Sequence, residues 1–161
     1  MAERSHRFEA TLEWTGNLGT GTDTYKTYTR DHVIGGAGKP PLPGSADPVF
    51  RGDGTRYNPE ELLVAALSSC HLLWYLHLCA KAGVICEGYT DHAVGTMVTG
   101  ADGAGQFSEV VLHPEVTIRP GGDPAVAARL HADAHHLCFI ARSVNFPVKC
   151  EPRIVLGGPR A

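Results

Sequence analysis
The sequence predicts an α+β fold, with a long buried central helix and a second helix packed with antiparallel sheets. Three observations carry this. A run of about 24 largely apolar residues between Asn58 and Gly83 has start and stop signals at its two ends. Two segments rich in Val, Thr and Ile, residues 84–99 and 106–119, flank the turn sequence Asp102-Gly103-Ala104-Gly105. A second helix signal follows at Asp123-Pro124.

Taken in chain order, residues 7–15 alternate apolar and polar side chains, the pattern of a strand. Residues 24–34 form a second strand candidate. Residues 35–54 are rich in Gly and Pro, which predicts a surface loop, long enough to suggest a functional role. At the central helix, Asn58 suits the N-cap, Pro59 the first position, and Glu61 stands three residues after the cap. Gly83 is placed to end it. The stretch Leu62–Gly83 is apolar on nearly every face, as in a helix enclosed by a core or a membrane. Ser68, Ser69, His71 and His77 interrupt it and basic flanks are missing, so the core is expected. Residues 84–99 and 106–119 are expected to form a long hairpin. The second helix should run to about Leu137, and a strand should follow near residues 153–156.

A chain of 161 residues is expected to form one domain spanning 1–161. It offers limited surface to cover such a helix on all sides. Ala65 and Ala66 would let a second copy approach closely, so a homodimer with helices packed at a two-fold axis is expected. Net charge is −3 and no Lys/Arg run stands out, which argues against nucleic-acid and membrane partners. The polar N-terminus lacks the apolar stretch of a signal peptide, and a cytoplasmic location is expected. In that compartment the five cysteines are not expected to form a structural disulfide framework.

Among these, Cys70 lies mid-helix. Cys79, nine residues on, points about 180° away from it. Cys138 follows the second helix. Spacing alone leaves open whether Cys70 and Cys138 are core thiols or a redox pair. Two motifs bear on the choice. Asn58-Pro59-Glu60 opens the central helix with Cys70 ten residues after Glu60, and Ala134-His135-His136-Leu137-Cys138 closes the second helix. In their order and separation these motifs resemble the OsmC/Ohr family of osmotically inducible and organic-hydroperoxide-resistance proteins.

The resemblance implies an OsmC-like fold, an intertwined homodimer in which sheets wrap a central helix pair. It also implies a thiol peroxidase. Cys70 would attack the hydroperoxide, Cys138 would resolve the sulfenic acid as a disulfide, and a dithiol reductant of lipoyl type would restore both thiols. An arginine paired with Glu60 would hold Cys70 as thiolate, Arg30 by its order in the sequence, with Arg56 the alternative. Ten helical residues span roughly 15 Å, so Glu60 would serve the Cys70 of a partner chain. No metal or organic cofactor is implied.

Leu67 and Trp74, at i−3 and i+4 from Cys70, are candidates for an apolar substrate pocket. His71 and His77 are expected to be core or interface histidines, and Cys86 and Cys150 belong to no motif. Phe139-Ile140-Ala141-Arg142-Ser143 stands where the organic-hydroperoxide subgroup carries Pro-Tyr-Ser, a departure that bears on the substrate. Two other readings are kept. One is zinc binding through His77-x-Cys79 and His136-x-Cys138, which lack a matching four-ligand set. The other is a binding module for a small apolar ligand without turnover.

Overall fold
The structure is a computed structural model that describes residues 4–158. The backbone contacts of the described residues fall into two compact units that divide between Leu62 and Leu63, each described by itself.

In the first unit, β1 (Thr11–Trp14), β2 (His32–Gly35) and β3 (Leu42–Gly44) form an antiparallel sheet in that order. The strand expected over 24–34 shrinks to its C-terminal end, because residues 24–27 close a turn on Thr24. The segment expected to be a loop over 35–54 contains β3 and a 3-10 turn at Pro48–Phe50, which Asp47 caps through Val49 N–H. Ser45, fully buried, donates to Asp31 Oδ1 and accepts from Asp53 N–H, each at 3.0 Å. The unit ends on the start of α1 (Pro59–Ala82). Here the expected capping box forms: Glu61 N–H donates to Asn58 Oδ1 at 2.8 Å, and Asn58 N–H donates to Glu61 Oε2 at 3.1 Å.

The second unit holds the rest of α1, then β4 (Cys86–Asp91), β5 (Val94–Thr99), β6 (Gly105–Leu112), β7 (Pro114–Ile118), α2 (Pro124–Leu137), β8 (Val148–Cys150) and β9 (Arg153–Leu156). The first helix ends at Gly83, with φ 72°; Gly83 N–H bonds to Ala80 O and Val84 N–H to Cys79 O, the pairing of a Schellman motif. The predicted long hairpin is present in two pieces. β5 pairs with β6 and β4 pairs with β7, in different sheets. The ladder breaks where Asp91 takes hydrogen bonds from His113 N–H (2.8 Å) and Ser68 Oγ (2.5 Å).

Both sheets of this unit are mixed rather than purely antiparallel. β8 runs parallel to β6 and β9 parallel to β7, the crossover being carried by α2. Asp123 caps α2 as expected, accepting from Ala125 and Val126 N–H. β8 was not foreseen, since three residues beside Pro147 carry too little pattern.

The buried side of α1 is the stripe Leu67, His71, Tyr75 and Cys79, set four residues apart. Tyr75 and Cys79 pack with Val116, Ile118, Ala127, Leu130 and Ala134, joining α1, β7 and α2 in one cluster. Leu67 packs with Val110 and Leu112 of β6 in another. The expectation of burial on nearly every face holds for this stripe only. Leu73 and Leu76 are exposed in the single chain, because core elements cover α1 from one side. By length and composition α1 could also cross a membrane, with mean hydropathy 1.6 over a window that is 22% buried.

Candidate functional site
Cys70 stands in the middle of α1 and is half-buried. It lines an apolar cavity of about 360 Å³ with Leu73, Trp74, His77 and Phe139. The first four come from one face of α1, at i, i+3, i+4 and i+7. Phe139, just past α2, meets the Trp74 ring edge-on at 5.5 Å, and His77 meets Trp74 edge-on at 5.8 Å. Trp74 therefore lines the cavity.

Leu67 does not line it. At about 100° per residue, Leu67 lies about 60° from Cys70 on the side of His71, and Leu73 lies about 60° to the other side. Leu67 is thereby turned into the core, with none of its surface exposed. Leu73, His77 and Phe139 are the lining residues that the sequence reading missed. The same periodicity could have found the first two. Phe139 comes from a different element and had no local signal.

Cys138 caps the C-terminus of α2 and is 2% exposed. Its sulfur accepts a hydrogen bond from Ala141 N–H at 3.4 Å. Burial pushes its thiol up to about 11; the Ala141 N–H opposes this, and the neighbouring Cys70 side chain adds to it. α1 and α2 thus bring the two motif cysteines side by side, one facing a cavity and the other enclosed. Cys79 sits apart in the core cluster, where burial raises its thiol.

The first unit holds the other candidates. The Arg30 guanidinium lies between two rings, 4.2 Å from the centroid of Tyr25 and 4.3 Å from that of Tyr28. It donates to the carbonyl oxygens of both residues, at 2.8 Å each. Arg56 pairs with Asp53 at 3.3 Å and Asp31 at 3.7 Å. Glu60 is half-buried in the first turn of α1, where an acid also favours the helix dipole.

A further group gathers between α1, α2 and β8. Nε2 of His71 lies 2.9 Å from Nδ1 of His131, and Cys150 Sγ lies 3.6 Å and 3.8 Å from these two nitrogens. Burial pushes His71 down to about 4 and His131 down to about 3, so both rings are neutral near pH 7. Neither His77-x-Cys79 nor His136-x-Cys138 belongs to this group.

An α+β fold with a cavity-facing cysteine beside an enclosed one, both at helix positions, defines a protein with a candidate dithiol site. The chain belongs to the OsmC-like protein family, whose profile matches residues 52–153. It is similar to the solved structure of an OsmC-like protein of unknown function from Vibrio cholerae, with 34% identity, a TM-score of 0.80, and coverage of 94% of this chain and 99% of that one. The uncharacterized protein YmaD of Bacillus subtilis is 26% identical over 112 residues, which is 66% of this chain and 73% of YmaD. An organic hydroperoxide resistance protein OsmC from Legionella pneumophila shares the fold, with a TM-score of 0.66 at 16% identity over 94% of this chain and 98% of that one.

Proposed function
We propose that this protein is a thiol-dependent hydroperoxide reductase in which Cys70 is the peroxide-reactive cysteine and Cys138 resolves it. The observation that carries this reading is the pairing of a Cys70 that opens on an apolar cavity with an enclosed Cys138 beside it. A thiolate at Cys70 attacks the terminal oxygen of the hydroperoxide. The O–O bond breaks, the alkoxide takes a proton and leaves as an alcohol, and Cys70 becomes a sulfenic acid. Cys138, whose thiol is held protonated by burial, loses its proton as its sulfur attacks Cys70, and the hydroxyl leaves as water. A dithiol of lipoyl type then reduces the disulfide by exchange and is itself oxidised.

The cavity favours an organic hydroperoxide with an apolar body, to be held by Leu73, Trp74 and Phe139. The Legionella relative of this fold is named for resistance to organic hydroperoxides, which agrees with the reading. Arg30, with Arg56 as the alternative, is taken from the family pattern as the group that holds the Cys70 thiolate, and Glu60 as the acid that pairs with that arginine. The exposed Leu73 and Leu76 on α1 support a homodimer, in which the partner copy covers that side. The setting is a reducing cytoplasm.

The apolar cavity also favours a second reading, a binding module for a small apolar ligand without turnover. Peroxide consumption with dihydrolipoamide as reductant separates the two. The parent protein should turn over and Cys70→Ser should not, because a serine hydroxyl is not ionised near neutral pH. Cys79→Ser should keep most of the activity. Turnover retained in Cys70→Ser would remove Cys70 from the mechanism, and its absence in the parent would favour the binding module.

A further inference from the structure
His71, His131 and Cys150 converge although 60 and 79 residues separate His71 from the other two. All their ligand atoms lie within 4.8 Å of one another. We propose that this trio is a divalent transition-metal site of zinc type, with His71 Nε2, His131 Nδ1 and Cys150 Sγ as ligands and solvent in the fourth position.

Two imidazoles and one thiolate suit a borderline-soft cation such as Zn²⁺ and suit Mg²⁺ or Ca²⁺ poorly. A tetrahedral zinc ion places nitrogen ligands about 3.3 Å apart and a nitrogen and a sulfur about 3.6 Å apart. The observed separations are 2.9 Å between the nitrogens and 3.6 and 3.8 Å to the sulfur. A shift of a few tenths of an ångström would complete the site.

The rings are also held in place. The His131 ring stacks on Tyr75 at 3.9 Å, and Tyr75 is anchored by its hydroxyl to Ala127 O. His71 lies parallel to His131, at 5.2 Å between centroids. Among the described residues, His71 Nδ1 and His131 Nε2 have no hydrogen-bond partner. The polar contacts of both rings are thus concentrated on the two nitrogens that face Cys150. A purely structural histidine pair would be expected to satisfy its outer nitrogens as well.

Access and charge complete the case. A cavity of about 300 Å³ is lined by His131, Cys150 and His135, giving an entry path and room for solvent. The Asp91 carboxylate acts electrostatically on His71, in the sense that favours a positive charge there. On binding, the Cys150 S–H bond breaks and its proton leaves to solvent. The imidazoles stay neutral: the proton between the facing nitrogens moves to an outer nitrogen, and the other outer nitrogen already carries one. One proton is released per metal ion.

The test is a Co²⁺ titration of tag-free, chelator-treated full chain, read by absorption and independent of peroxide turnover. The expected result is one Co²⁺ per chain, intense tetrahedral d–d bands and a thiolate-to-cobalt charge-transfer band, all displaced by Zn²⁺. Cys150→Ser should lose the charge-transfer band and bind at least about tenfold more weakly. His131→Gln should weaken binding similarly, with circular dichroism verifying that each variant is folded. Cys70→Ser should keep the band. A parent protein without the band, or a band that survives in folded Cys150→Ser, would overturn the proposal.

Discussion
Cys138 and Cys70 are identical side chains in different settings. Enclosure at the end of α2 keeps Cys138 a thiol, with its pKa pushed up to about 11, so it is poorly suited to meet peroxide first. Cys70 has the cavity and Cys138 has the proximity. In Cys138→Ser, Cys70 should react once and then stall as a sulfenic acid or pass to higher oxidation states. Mass spectrometry of that variant after repeated peroxide additions checks this; sustained turnover with dithiol would show that Cys138 is not the resolving residue. At this scale the sequence was partly legible. The motifs marked Cys70 and Cys138, and helical periodicity found Trp74 but misplaced Leu67, because a three-residue step can lead either toward the core stripe or away from it. His131 and Cys150 had no sequence signal, since their meeting with His71 depends on how α2 and β8 return to α1.

At the scale of elements, both ends of α1 were readable because their signals are local. The Asn58–Glu61 box and the Gly83 stop each act within a few residues. Asn58→Ala removes a buried cap and should lower stability by about 1 kcal/mol. Urea denaturation should show a lower midpoint with the slope unchanged, and an unshifted midpoint would contradict the capping role. The broken hairpin was not readable in the same way. At its interruption the Asp91 carboxylate takes His113 N–H and also reaches Ser68 on another element, a tertiary contact that no periodicity reports. The parallel placing of β8 and β9 is equally non-local, since it follows from where α2 leaves the chain.

At the scale of the whole molecule, α1 is covered on one side within the chain, and Leu73 and Leu76 face outward. A partner copy would cover them and bring its Glu60 toward this chain's Cys70. Mixed dimers of one Cys70→Ser chain and one Glu60→Ala chain should then contain one intact site, and recover up to about half the parent activity. Mixed dimers no more active than the average of the two pure variants, with Glu60→Ala itself impaired, would show that each site is built from one chain. A Cys70–Cys138 couple leaves a defined cross-link, which peptide mapping of the parent protein after one equivalent of an organic hydroperoxide reads. A disulfide joining Cys70 to Cys138, reversed by dihydrolipoamide, is the predicted result. A link at Cys79 or Cys86 instead, or both motif cysteines remaining as free thiols, would contradict it.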